Sequence, residues 1–147
     1  MPNWTQNSVR FVSEKTEQLQ KLKKMLESNS NQKEKNVFDF NKIVPMPKNI
    51  FQGNLGEEEG EKYGKNHWYD WSIKHWGTKW NSCNARIVED SKEVVEYHFL
   101  SAWDCPRVIA YKIEDFLPSG VTCHFWECVH EDGQEEETII RHTAQKK

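Results

Sequence analysis

Hydrophobic and polar residues alternate along several stretches of the chain, and this period of two predicts β-strands. The alternation is strong over residues 121–129 (VTCHFWECV). Two further alternating stretches, 84–89 and 93–100, predict a β-hairpin that turns around Asp90-Ser91. The full set of predicted strands is Asn3–Val12, Asn84–Glu89, Glu93–Leu100 and Val121–Val129, with Thr138–Thr143 as an additional edge strand.

Two other stretches carry hydrophobic residues at helical spacing. Leu19, Leu22 and Leu26 form one apolar stripe, which predicts a helix after the first strand. Ile109, Ile113, Phe116 and Leu117 predict a second helix, which Asp104 and Pro106 would start and Pro118-Ser119-Gly120 would end. Between the first helix and the hairpin, Val37–Ile50 predicts an extended or edge segment, because Pro45 and Pro47 exclude a central strand.

The order of these elements predicts the fold class. Strand, helix, insertion, strand, strand, helix and strand match a ferredoxin-like α+β domain, in which two helices cover one face of an antiparallel sheet. We therefore predict a single domain over residues 1–147. It has an insertion at about 37–82 and an acidic C-terminal hairpin at about 130–147.

The insertion contains the most aromatic part of the chain, HWYDWSIKHWGTKWN (67–81), with four of the seven tryptophans. A short helix from about Trp68 to His75 is predicted, ending near Gly77. Its aromatic residues fall on two faces, so one face can pack on the sheet and FDFNKIVPMP can cover the other. Alternatively, the second face stays exposed and binds a partner, since tryptophan and tyrosine dominate such sites.

Charge suggests the class of partner. The net charge is −3, but residues 1–50 carry nine Lys/Arg against five Asp/Glu, and residues 51–147 carry eleven against eighteen. Phosphate-backbone binding needs clustered cations, so the acidic part favours a protein partner. The acidic segments could dock on a basic protein surface, imitate nucleic acid or simply be solvated. The candidate partner-binding residues are Trp68, Tyr69, Trp71, Trp76, Trp80, Glu57, Glu58, Glu59 and Glu61.

Nucleic-acid binding is the alternative, because ferredoxin-like sheets can stack bases on aromatic side chains. The stacking candidates are Tyr97, Phe99, His124 and Trp126. The aromatic-basic motif of RNA-recognition domains is absent from these strands. Cross-strand aromatic pairs that stabilise the sheet are the competing interpretation.

Metal binding and catalysis have weaker support in the sequence. Alternation places His124, Trp126, Cys128 and His130 on one face of a strand, but residues four apart on a strand are roughly 13 Å apart. Cys105 at a helix start could be a nucleophile beside Asp104, with His98 or His75 as base, yet nothing in the sequence brings them together. We predict no metal, no cofactor and no enzymatic activity, and four reduced cysteines.

The chain begins without a signal peptide and has no apolar stretch of about 18 residues, which predicts a soluble, cytoplasmic protein that does not bind membranes. The pattern does not predict an oligomeric state.

Four segments in order carry a resemblance to a known family: MPNW, FDFNKIVPMP, WYDWSIKHWGTKW and FLSAWDCP. Together they resemble a family of ferredoxin-like proteins carried by bacteriophages and plasmids, which includes the plasmid protein YubB. The resemblance covers about residues 1–130 and departs from the family at Thr5, where many members have cysteine. It implies a ferredoxin-like fold and a mobile-element origin, and it supplies no activity. From that origin we expect a protein that inhibits a bacterial defence system, such as a CRISPR effector.

Overall fold

A computed structural model describes residues 4–28, 35–47, 68–130 and 136–140. Within these residues the chain forms five strands and four helices, so the predicted α+β class is confirmed. In chain order they are β1 (Trp4–Val12), α1 (Thr16–Leu26), α2 (Phe40–Ile43), α3 (Trp68–Trp76), β2 (Cys83–Asp90), β3 (Val94–Ala102), α4 (Arg107–Phe116), β4 (Thr122–Val129) and β5 (Glu136–Ile140).

The strands form one antiparallel sheet in the order β2-β3-β1-β4-β5. β1 is central, with Val9 opposite Tyr97 of β3 and opposite Trp126 of β4. The predicted hairpin is confirmed as β2 and β3, and in its turn the Ser91 amide donates to the Val94 carbonyl at 2.8 Å. The predicted last strand is also present as β5, which pairs with β4 and begins earlier in the chain than predicted.

One face of the sheet is buried by alternate residues of the three central strands. Val9, Phe11, Tyr97 and Phe99 point into the core, as the period-two pattern predicts. The alternation predicted for β4 was wrong at Cys123 and His124, because a register shift between Arg10 and Phe11 takes up an extra residue. Cys123 therefore lies opposite Phe11 and is buried on the same face as Trp126 and Cys128, while His124 is exposed.

The helices complete the core on this face. Leu19, Leu22 and Leu26 of α1 are fully buried, which confirms the first predicted stripe. The second is confirmed for Ile109 and Ile113 of α4, which are fully buried, while Phe116 is partly buried and Leu117 lies just beyond the helix. Among the residues that the structure describes, no helix has the length and apolar character needed to cross a membrane.

The segment before Pro45 was predicted to be extended, but it contains the helical turn α2. Asp39 begins this turn, since its side chain accepts a hydrogen bond from the Asn41 amide at 3.0 Å. Phe38 and Phe40 of this segment are fully buried. The Phe38 ring stacks on Phe99 at 4.7 Å between centroids and meets Tyr97 and Trp126 edge-on.

Candidate interaction surface

Helix α3 buries one side against the α2 segment. Trp71 and Trp76 belong to the core, and their rings meet edge-on at 5.3 Å between centroids. The indole nitrogen of Trp76 donates to the Val44 carbonyl at 2.9 Å, and its ring lies 5.7 Å from Phe40. The interpretation that FDFNKIVPMP covers one aromatic face of this helix is thus confirmed for Trp76. Trp71 and Trp76 are core residues and are not available as partner-binding residues.

The end of α3 is held against the start of α4 and the end of β3 by two close contacts. Gly77 has a φ of +84°, and a Cβ built on it would lie 2.9 Å from the Arg107 amide nitrogen. The Thr78 hydroxyl donates to the Ala102 carbonyl at 2.6 Å. Only glycine permits this approach, so α3 and the turn after β3 form one packed unit.

The opposite side of this unit is open to solvent and rich in aromatic residues. Ile73 is 41% exposed, Trp80 38% and Trp103 44%, while Tyr69 is half-buried. An open cleft of about 460 Å³ lies between α3 and the turn after β3; its lining residues are Tyr69, Asp70, Ile73, Lys74 and Trp103. We refer to Tyr69, Ile73, Trp80 and Trp103 together as the aromatic surface.

A lysine joins the two tryptophans of the aromatic surface. The ammonium nitrogen of Lys79 lies 3.8 Å from the ring centroid of Trp103 and 4.1 Å from that of Trp80. Cation–π contacts at this distance are favourable by about 0.5–1 kcal/mol at exposed sites. Trp4 extends the array with its ring 5.8 Å from Trp80, and Tyr69 lies 6.3 Å from Trp103. The rings therefore contact one another, directly or through Lys79, on a surface that is partly open to solvent.

Trp103 has an unfavourable backbone conformation. Its φ is +69°, a region that costs an L-residue about 1–2 kcal/mol. Asn84 also has a positive φ, but asparagine tolerates it. A bulky residue that is strained and also exposed gains little from burial, and such strain concentrates at functional sites.

The sequence prediction identified part of this surface. Tyr69 and Trp80 belong to it, and Trp68 is half-buried with its ring 5.8 Å from Tyr69. Ile73 and Trp103 were missed, because they stand in a predicted helix face and in a turn, and the neighbouring Trp4 was missed at a strand end. The position of Trp103 directly before Asp104, in a turn segment that needs no core residue, was the available signal. Glu57, Glu58, Glu59 and Glu61 lie outside the described residues.

The stacking set for nucleic acid is not an exposed surface. Tyr97, Phe99 and Trp126 are buried under the helices, and only His124 of the four is exposed. The prediction failed because the aromatic face of the sheet is its core face. Burial also raises the pKa of Tyr97 well above its ordinary value, with a smaller effect from Asp90 and Glu27.

The outer face of the sheet carries compensated charges instead. The Arg10 guanidinium donates to Glu96 at 2.7 Å and to Glu89 at 3.1 Å, and His98 Nε2 lies 2.7 Å from the second Glu96 oxygen. Burial raises the pKa of Glu96, but the hydrogen bonds from Arg10 and His98 outweigh it, so the net pKa is below the usual value. This network fixes Arg10 against carboxylates.

The cysteine and histidine side chains do not lie where the two sequence hypotheses need them, neither as metal ligands on one face of β4 nor as a Cys105 nucleophile with His75 or His98 as its base. Cys128 is buried and its thiol donates to Asn7 Oδ1 at 3.1 Å, so it does not join His124 and His130 on one open face. His75 lies against the Trp71 ring, and His98 is on the outer face of the sheet. The histidine that approaches Asp104 and Cys105 is His130.

Comparison with known proteins adds no assignment: neither a protein-family model, nor a curated protein, nor a solved structure matches this chain. Membership in the phage and plasmid family is therefore a prediction from the four sequence segments alone.

Proposed function

We propose that this protein acts by binding a protein partner through the aromatic surface, without catalysis. The observation that carries the proposal is Trp103, a strained tryptophan that is 44% exposed and is held in place by Lys79 and Tyr69. The core does not require this residue, since Trp71, Trp76 and Trp126 already fill the interior. A strained, exposed and ordered tryptophan at the edge of a cleft is typical of an interaction hot spot.

The composition of the surface favours a protein over a nucleic acid. Its centre consists of Tyr69, Ile73 and Trp103, and its rim carries Asp70 and Lys74, which have opposite charges. An apolar, aromatic centre with a polar rim is the usual anatomy of a protein interface. Backbone phosphates would instead need several uncompensated cations along one track.

The partner class follows from the sequence resemblance and not from the geometry. Carriage by phages or plasmids makes a host or competitor macromolecule the first class to test, for example a CRISPR effector. In this proposal the protein inhibits a bacterial defence system in the host cytoplasm.

We also assign the sheet to the ferredoxin-like plan. Its first four strands have the order β2-β3-β1-β4, and helices lie in the chain between β1 and β2 and between β3 and β4. β5 is then an added edge strand, and α3 belongs to an insertion into the plan. The aromatic surface is thus built mainly on the part of the chain that the minimal fold does not need.

The proposal is tested with variants of the full chain in affinity capture. Trp103→Gly relieves the backbone strain while removing the ring, and Trp80→Ala removes the second ring of the Lys79 sandwich. We expect either change to weaken binding of the captured partner by at least about 30-fold, since a hot spot contributes roughly 2 kcal/mol or more. Stability should stay within about 1 kcal/mol of wild type, because glycine costs about as much entropy as the strain it relieves.

Tyr111→Ala is the matched control, because Tyr111 is 67% exposed on α4 and does not line the cleft. Extracts from bacteria with and without a CRISPR effector would be probed with wild type and each variant, and captured proteins would be identified by mass spectrometry. A partner retained by Trp103→Gly as well as by Tyr111→Ala would refute the surface. Salt-sensitive, micromolar binding of single-stranded RNA or DNA in gel shifts, with no protein captured, would favour the nucleic-acid alternative.

A further inference from the structure

We propose that Asp104, Cys105 and His130 form a binding site for a divalent transition metal of the zinc class. One carboxylate oxygen, the thiol sulfur and one ring nitrogen all lie within 4.8 Å of one another. His130 is 25 residues away from Cys105 in the chain, so sequence proximity does not explain the approach of its ring. The site directly follows Trp103 in the chain but shares no residue with the aromatic surface, and it does not depend on the partner proposed for that surface.

The turn after β3 holds the first two ligands in place. The Asp104 Oδ1 accepts a hydrogen bond from the Cys105 amide at 2.8 Å, and Oδ2 accepts from Arg107 Nη1 at 2.7 Å. The Asp104 carbonyl accepts from the Ser101 hydroxyl at 2.7 Å. These bonds orient the carboxylate next to the cysteine, in the manner of the outer-shell partners that position metal ligands.

The sheet supplies the third ligand. His130 directly follows β4, which pairs with β1 so that Val129 lies opposite Gln6. Its Nδ1 lies 3.4 Å from the hydroxyl of Thr5 on β1, a contact that restricts rotation of the ring. Two paired strands and the turn after β3 therefore meet at this site.

The donor set and its charge suit zinc. Zinc binds cysteine at about 2.3 Å and histidine and carboxylate at about 2.0–2.2 Å, so tetrahedral ligand atoms are roughly 3.5 Å apart. Closing the site needs side-chain shifts of about 1 Å, which the partly exposed Asp104 and His130 can make. As the metal–sulfur bond forms, Cys105 releases its thiol proton to solvent. Thiolate and carboxylate then neutralise the two positive charges, and a water completes the coordination.

A metal site accounts for the burial of Cys105 better than a nucleophile does. The cysteine is fully buried, whereas a reactive thiolate needs partial exposure to reach its substrate. Asp104 and His130 are partly exposed and give an ion access from the solvent side.

The test uses the purified, tag-free full chain under reducing conditions, with Zn²⁺ alone in calorimetry and Co²⁺ alone in absorption spectroscopy. We expect one equivalent of Zn²⁺ and a tetrahedral Co²⁺ spectrum with a thiolate charge-transfer band. Cys105→Ser should abolish that band. His130→Gln and Asp104→Asn should each weaken binding by more than about 100-fold, since outer-shell partners alone contribute about 10–100-fold.

Cys83→Ser and His124→Gln are the matched controls, because Cys83 is a half-buried thiol and His124 an exposed imidazole on β4, both outside the cluster. Circular dichroism verifies folding of each variant, and His130→Gln carries the test if Cys105→Ser does not fold. The proposal is overturned if wild type binds no stoichiometric Zn²⁺. It is equally overturned if the Co²⁺ band survives His130→Gln and Asp104→Asn, or is lost in Cys83→Ser.

Discussion

Glu96 is a nearly buried carboxylate whose two oxygens each accept a hydrogen bond, one from Arg10 and one from His98. Because its pKa is lower in the folded protein than in the unfolded chain, the native state favours the ionised form. The resulting stability is present above the unfolded pKa, near 4.5, and is lost as the pH falls through the folded value.

We expect Glu96→Gln to lower the free energy of unfolding by about 1.5–3 kcal/mol at pH 7, the range for a hydrogen bond to a charged group. The difference from wild type should shrink as the pH falls below about 4.5, because the unfolded chain then takes up a proton at Glu96 before the native state does. Urea titrations at several pH values measure both effects. Glu89→Gln is the control, since Glu89 is 42% exposed in its side chain and its ion pair with Arg10 should contribute under about 1 kcal/mol. An equal effect of both variants, independent of pH, would contradict this account.

The tryptophans show what residue type can and cannot predict. Trp126 is buried, and its indole nitrogen donates to Asn7 Oδ1 at 3.0 Å. The alternation along β4 predicts that one of the two strand faces is buried, but it does not say which one. The face that turned out to be buried is set by the extra residue at His124, for which the alternation gives no signal. Trp103 is exposed because its turn packs on Gly77 and Lys79, residues about 25 positions earlier. Such long-range contacts decide exposure, and a single sequence does not display them.

At the scale of elements, Gly77 sets the position of α3 on α4. A Cβ at this residue would meet backbone atoms, Arg107 N at 2.9 Å and Val108 N at 3.0 Å, and helix backbone cannot move aside locally. Gly120 has the same φ of +84°, but its Cβ would meet the Lys15 side chain at 3.3 Å, which can move away.

This pair separates backbone strain from steric overlap. Gly120→Ala should lose about 1–2 kcal/mol, the cost of an L-residue in the left-handed region. Gly77→Ala should lose clearly more, because the same cost is combined with a forced separation of α3 from α4. It should also weaken partner binding, since the cleft lies between α3 and Trp103. Thermal and urea unfolding of both variants provide the comparison. Equal losses of stability would show that α3 is not fixed by this contact.

Elements with a strong period were predictable, and those fixed by single contacts were not. The strands, the leucine stripe of α1 and the apolar face of α4 follow from alternation and helical spacing. The helical turn α2 was missed because Pro45 and Pro47 dominate the local pattern, while Asp39, which begins the turn, gives a weaker signal. The aromatic surface was half predicted: the tryptophan-rich helix drew attention, but its partner turn lies on another element.

At the scale of the whole molecule, one core packs the helices on the sheet and encloses ionisable side chains. Cys105, Cys123 and Cys128 are buried, and Cys83 is half-buried. Burial raises the pKa of Cys123 from 9.0 to about 12, with a smaller opposite effect from the backbone of Phe125. Burial in the same core also raises the pKa of the Tyr97 hydroxyl.

This core predicts a loss of stability in alkali. Between about pH 9 and 12 the unfolded chain loses the Cys123 proton while the native protein keeps it, so the free energy of unfolding must fall as the pH rises.

Cys123→Ala should be less stable than wild type at pH 8 because packing is lost. From about pH 9 upward its stability should fall less steeply with pH, since one of the buried protons is gone. Urea titrations at steps up to about pH 11 measure the two slopes. Cys83→Ala is the matched control, because it removes a thiol that is only half-buried. If Cys123→Ala shows the same slope as Cys83→Ala, the buried thiol does not govern alkaline unfolding. The alkaline loss would then belong to Tyr97, whose replacement by phenylalanine provides the next comparison.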